Sequence, residues 1–461
     1  MLARSYIEKI LDYAVSCGGD YAEVFFEDVE RTRFNLVDMQ VTKCACGRES
    51  GIGIRMFRGL ECVYLFSADV KEEKVFRLLK ERLGMGGVFG KRTPLSTVSP
   101  QGIVLQGMYP RDMELKKKIR LLKEGIEAGK SEADCIVQGR ACYTDADQRV
   151  QIANTQGVWA EDRRVRTRVR FMMAAADERS ESRQIGYVGP GAMQGPEFLE
   201  GEGFKDFARK AARKAKAMLG ARPCPVGQMP VIIANGFGGL FFHEACGHSL
   251  EGTSVANGCS EFAGKLGKKV ASDKVTLIDD GSIAGEWGSL GIDDEGILTR
   301  KNVLIEGGIL KGYLLDRMDA RRMGLSPTGS CRRENYRYAP VSRMTNTYIA
   351  PGTDRFEDMV GSVEKGLLVK GINAGSLDPV SGEFNFNTGE TYLIERGKVT
   401  VPLMSATLIG TGGEILPRVD MVSDDFALEQ GYCYAGSGQL PIGAGQPAVR
   451  ITQMTVGGKE L

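Results

Sequence analysis

Histidine is almost absent: the 461-residue chain contains two. Tryptophan is as rare, with Trp159 and Trp287 alone, too few to build an aromatic binding platform. Neither charge sign dominates, since 60 lysines and arginines meet 59 acids for a formal net charge of +1. That balance removes the usual footing for a nucleic-acid or anionic-membrane surface. Long apolar runs are missing too. A membrane-spanning helix needs about 18 or more apolar residues, and the best run, PVIIANGFGGLFF, is broken by Asn235 and its glycines. The opening MLARSYIEKILDYAVSCGG reads as a polar amphipathic helix, without the apolar stretch and small-residue cleavage site of a secretion signal. The eleven cysteines are odd in number, scattered singly apart from Cys44 and Cys46, and include no Cys-x-x-Cys. With no secretory signal they read as reduced thiols, and the expectation is a soluble cytoplasmic protein.

What is abundant is glycine. The 60 glycines, about twice the ordinary share, concentrate after residue 235 and predict turns and short strands there. The chain is also too long for one core, so two or three domains are expected. Ile7, Ile10, Leu11 and Ala14 share one face of a helix over 5–17, which Gly18-Gly19 ends. YAEVFFED, RTRFNLVD, GIGIRMFRG and CVYLFSA read as short strands, followed by helices at 69–84 and 112–129, the second with a solvated charged face. Strands follow at CIVQGRACYTD and QRVQIANTQGVWAEDRRVRTRVRFMMAAADE, turning at Asn154-Thr155-Gln156-Gly157, and RRVRTRVR reads as one exposed sheet face.

A helix over 205–219 leads into Arg222-Pro223-Cys224-Pro225, whose prolines mark a linker. Beyond it PVIIAN is a strand, Gly236–Gly247 a helix, and the remainder strands and glycine turns, with the clearest hairpin at Gly307-Gly308. The expected fold class is α+β. A mixed helix/strand region, 1–222, holds candidate subdomains at about 1–105 and 106–222, and a β-rich domain, 226–461, carries a short metal-binding helix. GYVGPGAMQG and LIGTGGE lack the spacing of nucleotide loops and read as turns, while Cys44 and Cys46 read as packing.

Both histidines fall within FFHEACGHSLEG, five residues apart, with Glu244 directly after His243. Two independently placed histidines would rarely lie so close. Neutral imidazole is a good zinc ligand, and an adjacent carboxylate can take the proton from metal-bound water. The pattern is the zincin H-E-x-x-H with one residue added. In a regular helix, residues five apart diverge by ~140° around the axis. His243 and His248 therefore share a metal only if the helix loosens to an i→i+5 turn or stops, and Gly247 is the expected place. Closed structural zinc sites usually take four protein ligands, often paired cysteines, so an open catalytic site is the expectation. Glu251, Cys246, Cys259, Cys331 and Cys433 are candidates for the third ligand, and spacing does not choose among them. Arg332, Arg333, Tyr336 and Arg343 crowd one segment; of these Tyr336 and Arg333 are the candidate transition-state stabilisers.

HEACGHSLEG, CRRENYRYAPVSRMTNTYIAPG, FNFNTGETYLIERGKVTVPLMSATLIG and the ending GAGQPAVRITQMTVGG resemble the TldD branch of the TldD/PmbA family of zinc metallopeptidases. The resemblance runs the length of the chain and is most specific after residue 225. It implies one zinc ion per chain held by His243, His248 and Cys433, with Glu244 as general base in the hydrolysis of unfolded or flexible peptides. It also implies a dimer, either of two copies or with a PmbA-type subunit that lacks the histidine motif. Two other readings stand beside it: a non-catalytic interaction subunit with a structural metal, and a zinc amidase acting on small molecules.

Overall fold

The computed structural model describes residues 1–84, 94–100, 102–103, 107–177, 182–201, 203–378 and 381–458. The candidate subdivision at about residue 105 lies outside the described residues. The first half is one twisted sheet with helices on a single face. Its elements are α1 (Arg4–Ser16), β1 (Tyr21–Val37), β2 (Gln40–Arg58), β3 (Glu61–Ser67), α2 (Glu72–Leu83), β4 (Ser96–Val98), α3 (Leu115–Lys130), β5 (Ile136–Asn154), β6 (Val158–Asp177), β7 (Ser182–Val188), β8 (Gly191–Ala192) and α4 (Phe204–Ala217). The sheet runs in the order β3-β2-β1-β5-β6-β4, with β7 and β8 also pairing with β6.

Each helix is placed by its apolar stripe. Ile7, Ile10 and Leu11 of α1, with Val75 and Leu79 of α2, bury against Val24, Ile54 and Trp159. Ala208, Ala211, Ala212 and Ala215 recur at helical spacing in α4 and let it approach Phe171 and Met173 closely, beside Leu122 and Ile126 of α3.

The strands are longer than the alternation pattern suggests. YAEVFFED and RTRFNLVD form one continuous strand, and β5 and β6 pair antiparallel over most of their length. Ladder hydrogen bonds satisfy the backbone whatever the side chains are, so polar interruptions do not break it. Cys44 and Cys46 are exposed near the tip of the β1–β2 hairpin, which corrects their reading as packing.

The exposed face expected for RRVRTRVR is overturned. Val165 and Val169 are buried, Val169 in the core under α3 and α4, and Arg164, Arg166 and Arg168 point the other way into the second half of the chain. Arg164 donates from Nη1 to Asp294 at 2.7 Å and from Nη2 to the Ile292 carbonyl at 2.9 Å. Arg166 donates to the Trp287 and Ser289 carbonyls at 3.0 and 2.7 Å, and Arg168 to the Gln430 carbonyl at 3.0 Å. A guanidinium carries five donors in a fixed fork, so backbone carbonyls at a seam can absorb it without water. Arg55, Glu23, Glu295 and Arg333 form a second buried charge group across the same seam.

Among the described residues the second half holds two main sheets and a two-stranded one that pairs Cys331–Arg332 with Val341–Ser342. In the larger, Gly227–Ile233 lies between Val449–Gly457, antiparallel to it, and Lys365–Val369, parallel to it. Val449–Gly457 in turn pairs with Thr407–Thr411, so it is an interior strand. The smaller sheet runs Ile309–Leu310, Lys301–Glu306, Leu277–Asp280, Asn346–Ile349, Gly438–Gln446, Ala427–Ala435. The hairpin at Gly307-Gly308 forms as expected: both residues have positive φ, +52° and +78°, as a two-residue turn of this hand requires. LIGTGGE is not a turn; it is strand through Thr411 and then a short helical turn, Gly412–Ile415. GYVGPGAMQG spans the end of β7 and all of β8. The class is α+β with a β-rich C-terminal region, and the helical segment after Asn235 is packed into its core.

Candidate metal centre

Residues 236–250 change helical pitch three times. A 3₁₀ turn over Gly236–Gly239 leads into an α turn over Leu240–Phe242, a π turn over His243–Gly247 and a 3₁₀ turn over His248–Leu250. Phe241 and Phe242 anchor it, buried with Phe384 and Phe386, and burying such side chains is worth roughly 1.5–3 kcal/mol each. The π turn falls on the five residues that begin with His243, where the extra motif residue demands it. Gly247 nonetheless keeps ordinary right-handed helical angles, φ −59° and ψ −50°. What requires glycine is Met344, whose sulfur and terminal methyl lie where a Cβ would sit.

The wide turn brings the two imidazoles onto one face, with ring centroids 5.1 Å apart and planes at 86°. Cys433 arrives from the edge strand Ala427–Ala435, its Sγ 3.1 Å from His248 Nε2. Glu244 Oε2 stands 3.6 Å from the same nitrogen. One ligand atom from each of His243, Glu244, His248 and Cys433 lies within 4.8 Å of all the others.

His243 is fully buried, and neither of its ring nitrogens has a hydrogen-bond partner. Buried polar nitrogens are almost always satisfied, and a cation held among these side chains would satisfy one of the two orphans on this ring. Burial, with nearby His248, Arg343 and Arg332, holds the His243 pKa well below the usual imidazole value, which keeps one ring nitrogen's lone pair available. Burial alone would do the same to His248, but Glu251 and Cys433 beside it reverse the sign and raise its pKa. Burial raises Glu244, against the opposing pull of His248. Its carboxylate and the His248 ring are the partly exposed members, at 23% and 14% of the side chain, so the group opens to solvent on their side.

The remaining candidates fall elsewhere. The Cys246 thiol turns back to the Phe242 carbonyl, 3.0 Å away. Cys259 is exposed, and Cys331 is buried near Arg55 and Glu295. Glu251 sits behind His248, its Oε2 3.0 Å from Nδ1, rather than among the four converging side chains. Arg333 and Tyr336 do not face the group, which corrects their selection as stabilisers. Arg333 pairs with Glu23 at 3.0 Å, and Tyr336 is buried with Phe25, Val150 and Ile292 at the seam. Of that crowded segment, Arg343 reaches the site: its Nη2 donates to the Cys433 carbonyl at 3.2 Å. Met344 was not foreseen. It contributes through its main-chain N–H and its fit against Gly247, neither of which leaves a trace in residue type.

Comparison with known proteins gives one consistent picture. The PmbA/TldA metallopeptidase C-terminal domain matches residues 226–458, and the central domain of the same family matches residues 109–219. The metalloprotease TldD homolog of Haemophilus influenzae is 35% identical over 470 residues, covering 99% of this chain and 97% of its own. A zinc metalloprotease TldD homolog of Saccharolobus solfataricus is 30% identical over 253 residues, covering 55% of this chain and 56% of its own. Among solved structures, TldE from Thermococcus kodakarensis superposes with a TM-score of 0.76 at 18% identity, covering 98% of this chain and all (100%) of that one. A proposed modulator of a DNA gyrase from Thermotoga maritima gives 0.79 at 18% identity, covering 98% and 99%. At that identity the structures speak to the fold alone.

Proposed function

Because this chain belongs to the PmbA/TldD family of metallopeptidases, we propose that it is a zinc-dependent peptidase, with one ion held by His243, His248 and Cys433 and Glu244 as general base. The observation that carries the reading is the convergence of those four side chains around a ring whose two buried nitrogens have no partner. Two imidazoles and a thiolate are a donor set that zinc favours and that leaves one position open. A zinc ion held by these residues would supply Lewis-acid polarisation of a carbonyl and would lower the pKa of a bound water.

The chain's own residues do the rest. His243, kept neutral by burial, presents a lone pair. Glu244 has a raised pKa and an edge open to solvent, suiting it to take a proton from the attacking water and return it to the leaving amine nitrogen. Cys433 lies on Ala427–Ala435, which is an edge strand: its outer side pairs with no other strand among the described residues. Tyr434 stands there 72% exposed. An extended peptide laid along this edge would be held through its main chain, which suits unfolded or flexible substrates of varied sequence. The assembly proposed is a dimer, of two copies or with a PmbA-type subunit.

The test is zinc analysis of the purified protein together with digestion of an unfolded protein, with and without chelator. Glu244→Ala is expected to keep its zinc and lose cleavage by about 10²–10⁴-fold. Cleavage that survives the substitution overturns the mechanism. A zinc-loaded wild type that leaves peptides intact favours the structural-metal reading, and one that hydrolyses only small amides favours the amidase reading.

A further inference from the structure

Glu251 and Arg343 join the two chain segments on which the proposed ligands lie. One Glu251 oxygen, Oε2, is 3.0 Å from His248 Nδ1; the other, Oε1, accepts the Met344 N–H at 3.1 Å and faces Arg343 Nε at 3.7 Å. From the same guanidinium, Nη2 donates to the Cys433 carbonyl, and Nη1 to Ser437 Oγ and the Gly438 carbonyl, all at 3.2 Å. Both side chains are buried. Glu251 is itself fixed by a bridge to Leu314, where the Gly252 N–H donates to the Leu314 carbonyl at 2.7 Å.

We propose that Glu251 and Arg343 are positioning residues that set His248 and Cys433 for one metal ion. The inference rests on the zinc-peptidase reading and extends it from the ligands to what orients them. A Glu251 carboxylate accepting Nδ1–H fixes the His248 tautomer and leaves the Nε2 lone pair on the side of Cys433 and Glu244. An imidazole so held loses little rotamer freedom on binding metal, and removal of such outer partners typically weakens metal binding 10–100-fold. Arg343 extends the brace to the other ligand. It grips the backbone of the Cys433 strand and the turn that follows, so a ligand 185 residues away in sequence meets His248 in a fixed register. This also explains why Glu251 lies outside the converging group: its two oxygens are engaged behind the ring.

With two histidines in the chain, ¹⁵N-histidine labelling reports on both rings without crowding. The experiment compares wild type, Glu251→Ala, Glu251→Gln and Arg343→Lys by zinc competition against a chelator, by the histidine tautomer in the metal-free protein at a pH where His248 is neutral, and by its circular dichroism and thermal unfolding. Glu251→Ala is expected to bind zinc about 10–100-fold more weakly and to lose the fixed Nδ1–H tautomer of His248. Glu251→Gln keeps an acceptor for the ring and is expected to recover most of the affinity. Arg343→Lys keeps a charge but loses the fork, and is expected to weaken zinc binding while the tautomer stays fixed.

Wild-type affinity in a folded Glu251→Ala protein overturns the brace, as does a Glu251→Gln protein no better than Glu251→Ala. Should Glu251→Ala not fold, Arg343→Lys decides: weaker zinc binding supports the brace and unchanged affinity overturns it. Absence of zinc from the wild type overturns the peptidase reading and the brace together, whereas the variant outcomes touch the brace alone.

Discussion

Cys433 Sγ and His248 Nε2 lie 3.1 Å apart although 185 residues separate them in the chain. Nothing local produces that contact. Ile442 and Ala444 of the neighbouring strand pack with Cys433 against Phe237 and Leu240, docking the edge hairpin onto the segment that leads into His243.

Removing the thiol isolates its share of the site. Cys433→Ala is expected to bind zinc more weakly by more than the ~10–100-fold typical of lost outer partners, because a direct donor is gone. Equilibrium dialysis checks this, and zinc retained at wild-type affinity would remove Cys433 from the ligand set.

Gly247 tests the packing that accompanies the π turn. A methyl group there must displace Met344, and overpacking of this kind costs about 1–3 kcal/mol. Gly247→Ala is therefore expected to lower the unfolding midpoint, and adding Met344→Ala to recover part of the loss. Strictly additive effects in the double-mutant cycle would show that the two residues do not meet.

Arg333 separates a structural charge from a catalytic one. It is buried and paired with Glu23, and its removal leaves that carboxylate with Arg55 as its remaining cation. Breaking a buried pair costs about 3–5 kcal/mol. Arg333→Ala is expected to lose stability on this scale in denaturant unfolding while its zinc affinity stays unchanged.

The same group sets a response to acid. Burial alone would raise the Glu23 pKa, but Arg55 and Arg333 outweigh it and hold it below the usual 4.5. A carboxyl whose pKa is depressed by folding contributes stability that is present above its unfolded value and lost as pH falls through the folded one. Wild-type unfolding free energy should therefore decline below about pH 4.5, with Glu23→Gln showing a shallower decline. Parallel slopes for the two proteins would contradict this account.

The sequence makes the chemistry more legible than the architecture around it. Two histidines bracketing a glutamate are informative because there are no others, and one surplus residue between them translates directly into a wider helical turn. Arg164, Arg166 and Arg168 were unreadable for the opposite reason. Their partners are mainly backbone carbonyls at residues 287–292 and at Gln430, and any residue type supplies a carbonyl. Within one short segment, Arg333 and Arg343 look alike in sequence. Each follows one arm of the ladder that pairs Cys331–Arg332 with Val341–Ser342, yet Arg333 meets the first-half sheet and Arg343 the Cys433 hairpin.

Val449–Gly457 occupies an interior place in the larger C-terminal sheet, and Cys433 precedes its first residue by 16 positions. During synthesis the histidine segment therefore emerges long before either. Until Cys433 and Val449–Gly457 have left the ribosome, the sheet has an open slot and the proposed zinc site lacks its sulfur. On the peptidase reading, a nascent copy that lacks them would be inert toward its neighbours and toward itself.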